Sequence, residues 1–273
     1  MDNTTSFPYP TQTDIHLVPA RERVYTNIRE DVSGYAFVLS VIIAGQLGVF
    51  VQPVLGTVLS IVSLGILLGV AAKYRRVRKV ILAAGSVPLL TLVNLTFAQA
   101  TAFSQTIVLY SGMLLVSLMY RYTFRKKILE DTRSQLRKNF PSYLVYAISL
   151  GILLGAICFR LLASGYDFGA TPVIWVLSIA LLGALAEESF FRGLIQHQAM
   201  TVMKPVHAVI LTSLLYVTLA MGHFTFWSLL VGLISTVILS FVYMKKSSVL
   251  LTTIMNIVSK IVYVALIAKF VIY

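Results

Sequence analysis

An all-α, polytopic membrane fold is what this sequence predicts, and three observations predict it. The chain has 273 residues, of which 58% are hydrophobic and only 12% charged, against about a quarter charged in an ordinary soluble domain. Its mean hydropathy is +0.86. Apolar stretches near the roughly 20 residues that a spanning helix needs recur along most of its length, and the basic residues fall in short segments between them. The formal charge of +12 therefore reads as the positive-inside pattern of a membrane protein and not as a nucleic-acid surface. We expect about eight to nine transmembrane helices, the lipid bilayer as the surrounding partner and no nucleic acid.

Taken in order, residues 1–33 are polar, contain Pro8, Pro10 and Pro19, and lack the basic-then-apolar layout of a signal peptide. They read as a cytosolic N-terminal tail. Within it Val24, Ile28 and Val32 recur every four residues among Arg21, Arg23 and Arg29, which fits either a short helix lying on an anionic leaflet or a solvated tail. Apolar spans follow at 34–51, 54–72, 80–98, 106–120, 143–163, 172–195, 207–222, 226–244 and 248–273. No Pro/Gly-rich linker separates them, so 34–273 reads as one membrane domain.

Orientation rests on the loops. Lys73, Arg75, Arg76, Arg78 and Lys79 follow the second span, Lys245 and Lys246 follow the eighth, and segment 121–138 carries seven basic residues against Glu130 and Asp131. All three fall on one side in this layout, which the positive-inside rule makes cytosolic, with the plasma membrane as the expected location. Phe124, Ile128 and Leu136 lie at helical offsets within 121–138, the pattern of an interfacial basic helix.

Several chemistries find no support. Cys158 is the single cysteine and lies in an apolar run, so neither an intrachain disulfide nor a multi-cysteine metal site is available. There is no Gly-rich phosphate loop, HExxH or GxSxG. We expect no cofactor and no metal.

The informative stretch is 181–198, LLGALAEESFFRGLIQHQ, where Glu187, Glu188 and Arg192 interrupt an apolar helix. A charge at the centre of a membrane helix costs roughly 2.5–3.5 kcal/mol on insertion scales, so intramembrane charges face a cavity or a partner. Arg192 lies four residues after Glu188 and pairs with it on one helix face, which leaves Glu187 the freer carboxylate. The bland alternative is a buried ion pair that fixes helix register. One pair would satisfy that role, and a second glutamate needs another reason. Gly183, Ala184, Ala186 and Gly193 allow neighbouring helices to approach closely, while Phe190 and Phe191 read as lipid-facing or packing residues.

Glu187-Glu188-Ser189-Phe190-Phe191-Arg192-Gly193 is EExxxR followed by glycine, and it resembles the opening motif of the CAAX protease and bacteriocin-processing (CPBP, or Abi) family. The resemblance implies an intramembrane glutamic endopeptidase in which Glu187 activates a water while Glu188 and Arg192 orient it. Histidines and an asparagine from later helices complete the family's site. The second motif is similar to Ser213 through Ala220, with Tyr216 at the aromatic position and Ala220 where a histidine is expected. His223 lies three residues on and is the candidate substitute, the alternative being an interfacial histidine. Aligning Ser248 to the third motif places Asn256 at its histidine and Lys260 at its asparagine. Asn256 and Lys260 are one turn apart, so Lys260 is the natural counter-charge for Glu187 or Glu188. At about 1.5 Å per residue, Glu187 lies about 22 Å below the outer start of its span and His223 about 24 Å above the opposite start of its own. Straight helices would set them apart unless segment 196–205 re-enters the membrane or the helices tilt.

Three readings follow. The first is a membrane-embedded endopeptidase acting on a membrane-associated protein or peptide, with Glu187, Glu188, Arg192, His223 and Asn256 as site residues and Tyr216 and Lys260 in the pocket. The second is a catalytically silent relative, a scaffold or regulator of a membrane or cell-envelope partner, or a bacteriocin-immunity protein; Ala220 and Lys260 favour it. The third, a small-solute transporter, lacks repeated halves or paired broken helices.

Overall fold

The computed structural model describes residues 40, 42–44, 48, 52–74, 77–96, 102–123, 128–162, 173–220 and 226–270. Among them every regular element is helical. In chain order these are α1 (Pro53–Lys73), α2 (Arg78–Thr96), α3 (Ala102–Thr123), α4 (Ile128–Leu162) and α5 (Val173–Glu187). α5 runs unbroken into a π-helical segment, Glu188–Gln196, and ends in a short α-helical turn, α6 (His197–Met200). α7 (Pro205–Ala220), α8 (Phe226–Lys246) and α9 (Val249–Phe270) complete the set.

Six stretches among the described residues are long and apolar enough to cross a membrane, and two shorter helices, Ser104–Tyr120 and Pro205–Leu219, are apolar as well. The chain is thus a polytopic helical membrane protein. Large apolar side chains such as Val54, Val145 and Ile174 stand on the outside of the bundle, where hydrocarbon and not water is the fitting solvent. The tail at 1–33 and most of the expected first span at 34–51 lie outside the described residues.

One expectation about the elements is corrected. Residues 128–138 of the basic segment and the span that begins at 143 are not two units, since one helix runs from Ile128 to Leu162 with Pro141 inside it. Leu, Glu, Gln, Arg and Lys before Pro141 are good helix formers, and a proline there forfeits one backbone bond without ending the helix.

Close packing of α4 on α9 fixes one wall of the bundle. A Cβ on Gly151 would stand 2.7 Å from the Met255 carbonyl oxygen, and one on Gly155 would stand 2.5 Å from that of Ser259. Two glycines four apart thus meet two carbonyls four apart, the small-xxx-small arrangement that lets membrane helices touch backbone to backbone. Because the register increases together on both helices, α4 and α9 run parallel. Ser248 caps α9 by accepting the Leu251 N–H at 3.3 Å, and Ser247 before it adopts φ 50° in the α8–α9 turn.

The basic ends of several helices meet. The Tyr120 hydroxyl donates to the Lys79 carbonyl at 3.3 Å, joining the end of α3 to the start of α2. The Lys246 ammonium lies 4.3 Å from the centre of the Tyr143 ring, joining the end of α8 to the start of the apolar part of α4. On the other flank α2, α3, the π segment and α7 share a core in which Phe190 and Phe191 are completely buried. Neither phenylalanine faces lipid. Their rings meet edge to face at 5.0 Å, and Phe191 meets Tyr216 at 5.1 Å.

Candidate functional site

The site is built where α5 changes hydrogen-bond pattern. In the π segment the amide of His197 reaches back five residues to the Arg192 carbonyl, so the turn is wider than an α-turn and residues four apart come closer to eclipse. Such segments are uncommon and recur at functional sites. Here Glu188, Arg192 and Gln196 form one buried row. Arg192 Nη1 lies 3.2 Å from Glu188 Oε1, the pairing expected from the sequence.

The row faces α8 in matched register. Arg192 Nη2 donates to the Thr236 carbonyl at 3.0 Å and to its hydroxyl at 2.5 Å. One step on, Gln196 Nε2 donates to the Ser240 carbonyl at 2.8 Å. The offset of 44 residues is the same in both bonds, so the π segment and α8 run parallel here. Glu188 Oε2, Arg192 Nε and Gln196 Oε1 are buried and without hydrogen-bond partners among the described residues.

Glu187 faces the other way and is not the free carboxylate that its own helix suggested. Lys260 Nζ lies 2.9 Å from its Oε2, the Asn256 amide donates to the same oxygen at 3.2 Å, and the Tyr110 hydroxyl donates to Oε1 at 3.2 Å. The partners come from α9 and α3, which sequence offsets within α5 could not supply. Asn256 Nδ2 also donates to Glu188 Oε1 at 2.9 Å. One amide therefore bridges the two carboxylates although they diverge around the helix.

Tyr110 was not singled out in the sequence. Its ring lies against Gly183, where a Cβ would stand 2.7 Å from the ring carbons, and Gly183 is one turn before Glu187. The small residue expected to admit a neighbouring helix thus admits the ring whose hydroxyl reaches the carboxylate. Thr236, Gly232 and Ser235 on α8 were missed as well, because a Ser, Thr or Gly in an apolar span carries no distinguishing pattern.

A cavity of about 160 Å³ opens beside these groups. Its polar lining includes Glu187, Arg192, Asn256, Lys260 and Ser235, and its apolar lining includes Leu154, Val217 and Leu239. Tyr216 and Gly232 meet at its wall, with a Cβ on Gly232 falling 3.5 Å from the Tyr216 ring. Of the expected site residues, Glu187, Glu188, Arg192, Asn256, Lys260 and Tyr216 are gathered within this region. His223 lies outside the described residues. Segment 196–205 comprises the end of the long helix, a turn through Thr201 and Lys204, and the start of α7. Asn256 is eight residues beyond Ser248, which sets the carboxylates roughly 12 Å from the basic end, toward the middle of a hydrocarbon core about 30 Å thick.

A family comparison bears on this region. Residues 169–262 match the family described as Rce1-like, type II CAAX prenyl endopeptidase. This stretch resembles an Rce1-like domain. The match covers about a third of the chain and contains the EExxxR glutamates, Tyr216, Asn256 and Lys260, while Tyr110 reaches Glu187 from outside the matched stretch. Comparison with curated proteins and with solved structures gives no match.

Proposed function

We propose that this Rce1-like domain is a membrane-embedded recognition site that holds a membrane-associated protein or peptide segment without hydrolysing it. One observation carries the proposal: Lys260 Nζ at 2.9 Å from Glu187 Oε2. A carboxylate acting as general base must present a free lone pair to water and retain enough basicity to take its proton. The Lys260 ammonium and the Asn256 amide, the latter at 3.2 Å, both occupy Glu187 Oε2, so that oxygen has no lone pair to present to a water. Ala220, where the family motif calls for histidine, removes a second proton-handling group. What remains is a half-open cavity lined by both hydrogen-bonding and apolar groups, a form suited to binding.

Lys260→Asn in purified, detergent-solubilised protein tests this. Partner capture should weaken, and hydrolysis of prenylated and unmodified peptides should be absent before and after the substitution. Peptide hydrolysis by the unaltered protein would refute it.

Endopeptidase activity is the second reading, and a specific observation favours it. Glu187 Oε1 accepts one bond at 3.2 Å, from Tyr110, so an acceptor position remains for a water in the cavity. Glu188 and Arg192 would then orient Glu187 through Asn256. Lys260 would polarise the scissile carbonyl, a role in which loss of one donor typically costs about 10²–10³ in rate.

A further inference from the structure

The charges around the cavity cancel. Glu187 is paired with Lys260 at 2.9 Å, and Glu188 with Arg192 at 3.2 Å. Of the ionic side chains among the described residues that line the cavity, Glu187, Arg192 and Lys260 are all members of these two pairs. A guest carrying its own charge would enter with no counter-ion left for it, in a region where an uncompensated charge is strongly unfavourable. A guest with no hydrogen-bonding group would leave polar lining unsatisfied. The volume of about 160 Å³, at the roughly 10–15 Å³ of such space that one water needs, has room for a guest of six heavy atoms.

We infer that the cavity selects uncharged guests with one hydrogen-bonding end on a short apolar body, as in a primary amide, and rejects carboxylates and ammonium ions. In a partner this group would be a neutral polar side chain, such as that of glutamine or asparagine, projecting from an apolar segment. The inference rests on the recognition function proposed above and adds the chemical class of what is recognised. The polar end would meet Lys260, whose side chain is 25% exposed, and the body would lie against Leu154, Val217 and Leu239.

Three probes of nearly equal shape test it: isobutyramide, isobutyrate and isobutylammonium. Binding is measured by saturation-transfer NMR on the full chain in a neutral detergent, with Gly232→Leu as the filled-cavity background. The unaltered protein should bind the amide on the order of tenfold more tightly than either ion. Glu187→Gln gives the set one net positive charge and should move preference to isobutyrate. Lys260→Met gives one net negative charge and should move it to isobutylammonium. Thermal unfolding of each variant establishes that it is folded, and the order of the three probes on the unaltered protein is decisive by itself. Preference for either ion there, or the same order in all folded variants, would overturn this inference alone. Absence of binding above the Gly232→Leu background by all three probes would overturn the inference and the recognition function together.

Discussion

Lys260→Met removes the only ion-pair partner that the structure gives Glu187 among the described residues, and its effect can be worked from the geometry. Deleting one member of a buried pair typically costs about 3–5 kcal/mol, because the other charge is left uncompensated. Two features lower that figure here. The Lys260 side chain is 25% exposed against 8% for Glu187, and Glu187 keeps the Asn256 and Tyr110 bonds. We expect a loss of about 2 kcal/mol for Lys260→Met and about 1–2 kcal/mol for Glu187→Gln, which strands a better solvated lysine. The double variant should recover to within about 1 kcal/mol of the starting protein, since no charge is then left alone. The assay is a double-mutant cycle on the reversible unfolding of detergent-solubilised protein. Additivity within about 0.5 kcal/mol would refute a coupled pair and with it the neutralised carboxylate on which the function rests.

Other consequences can be measured in the same preparation. Gly155→Ala should force α9 away from α4, because its Cβ would stand 2.5 Å from the Ser259 carbonyl; the melting temperature and partner capture should both fall, whereas Gly65→Ala, mid-helix with open space around it, should leave capture unchanged and hold or raise the melting temperature. Thr236→Val removes one of two acceptors from Arg192 Nη2 and should cost about 1–3 kcal/mol in stability. Ser247→Gly should stabilise by a few tenths of a kcal/mol up to about 1, since φ 50° strains a residue with a Cβ; a lower stability would contradict that. In a Cys158→Ser background, single cysteines at Lys79 and Lys246 should react with an impermeant thiol reagent from the same side of the membrane, the cytosolic side under the positive-inside rule. Labelling of either from outside intact cells would overturn the orientation.

Much of the fold was legible because a membrane span is a composition signal, and long apolar runs such as that of α1 are unmistakable. The register of the site was less so. Glu188 and Arg192 could be paired from their spacing because both lie on one helix. Lys260 was recognisable as a counter-charge, since a lysine deep in a span must be balanced, but which glutamate it serves depends on how α9 faces α5. That facing is set by Gly151 and Gly155 on α4, whose meaning appears only once the carbonyls of Met255 and Ser259 are seen against them. Tyr110 was invisible for the same reason, an ordinary tyrosine in an apolar run until Gly183 is found beneath its ring. The π segment was missed because nothing in ESFFRGLIQ separates it from an α-helix by propensity; its burial between α3, α7 and α8 is a tertiary matter. The joining of 128–138 to the following span was not legible because the basic segment and the apolar run differ in composition, although one helix carries both.

The most direct test compares peptides recovered from the membranes and medium of cells carrying the unaltered chain, Glu187→Gln, or no chain, by quantitative mass spectrometry. A recognition site whose glutamate is held by Lys260 predicts the same set of peptide termini in all three, with a partner that co-purifies with the unaltered chain and is lost with Glu187→Gln at equal protein abundance. Termini that appear with the unaltered chain and vanish with Glu187→Gln would contradict it and establish hydrolysis.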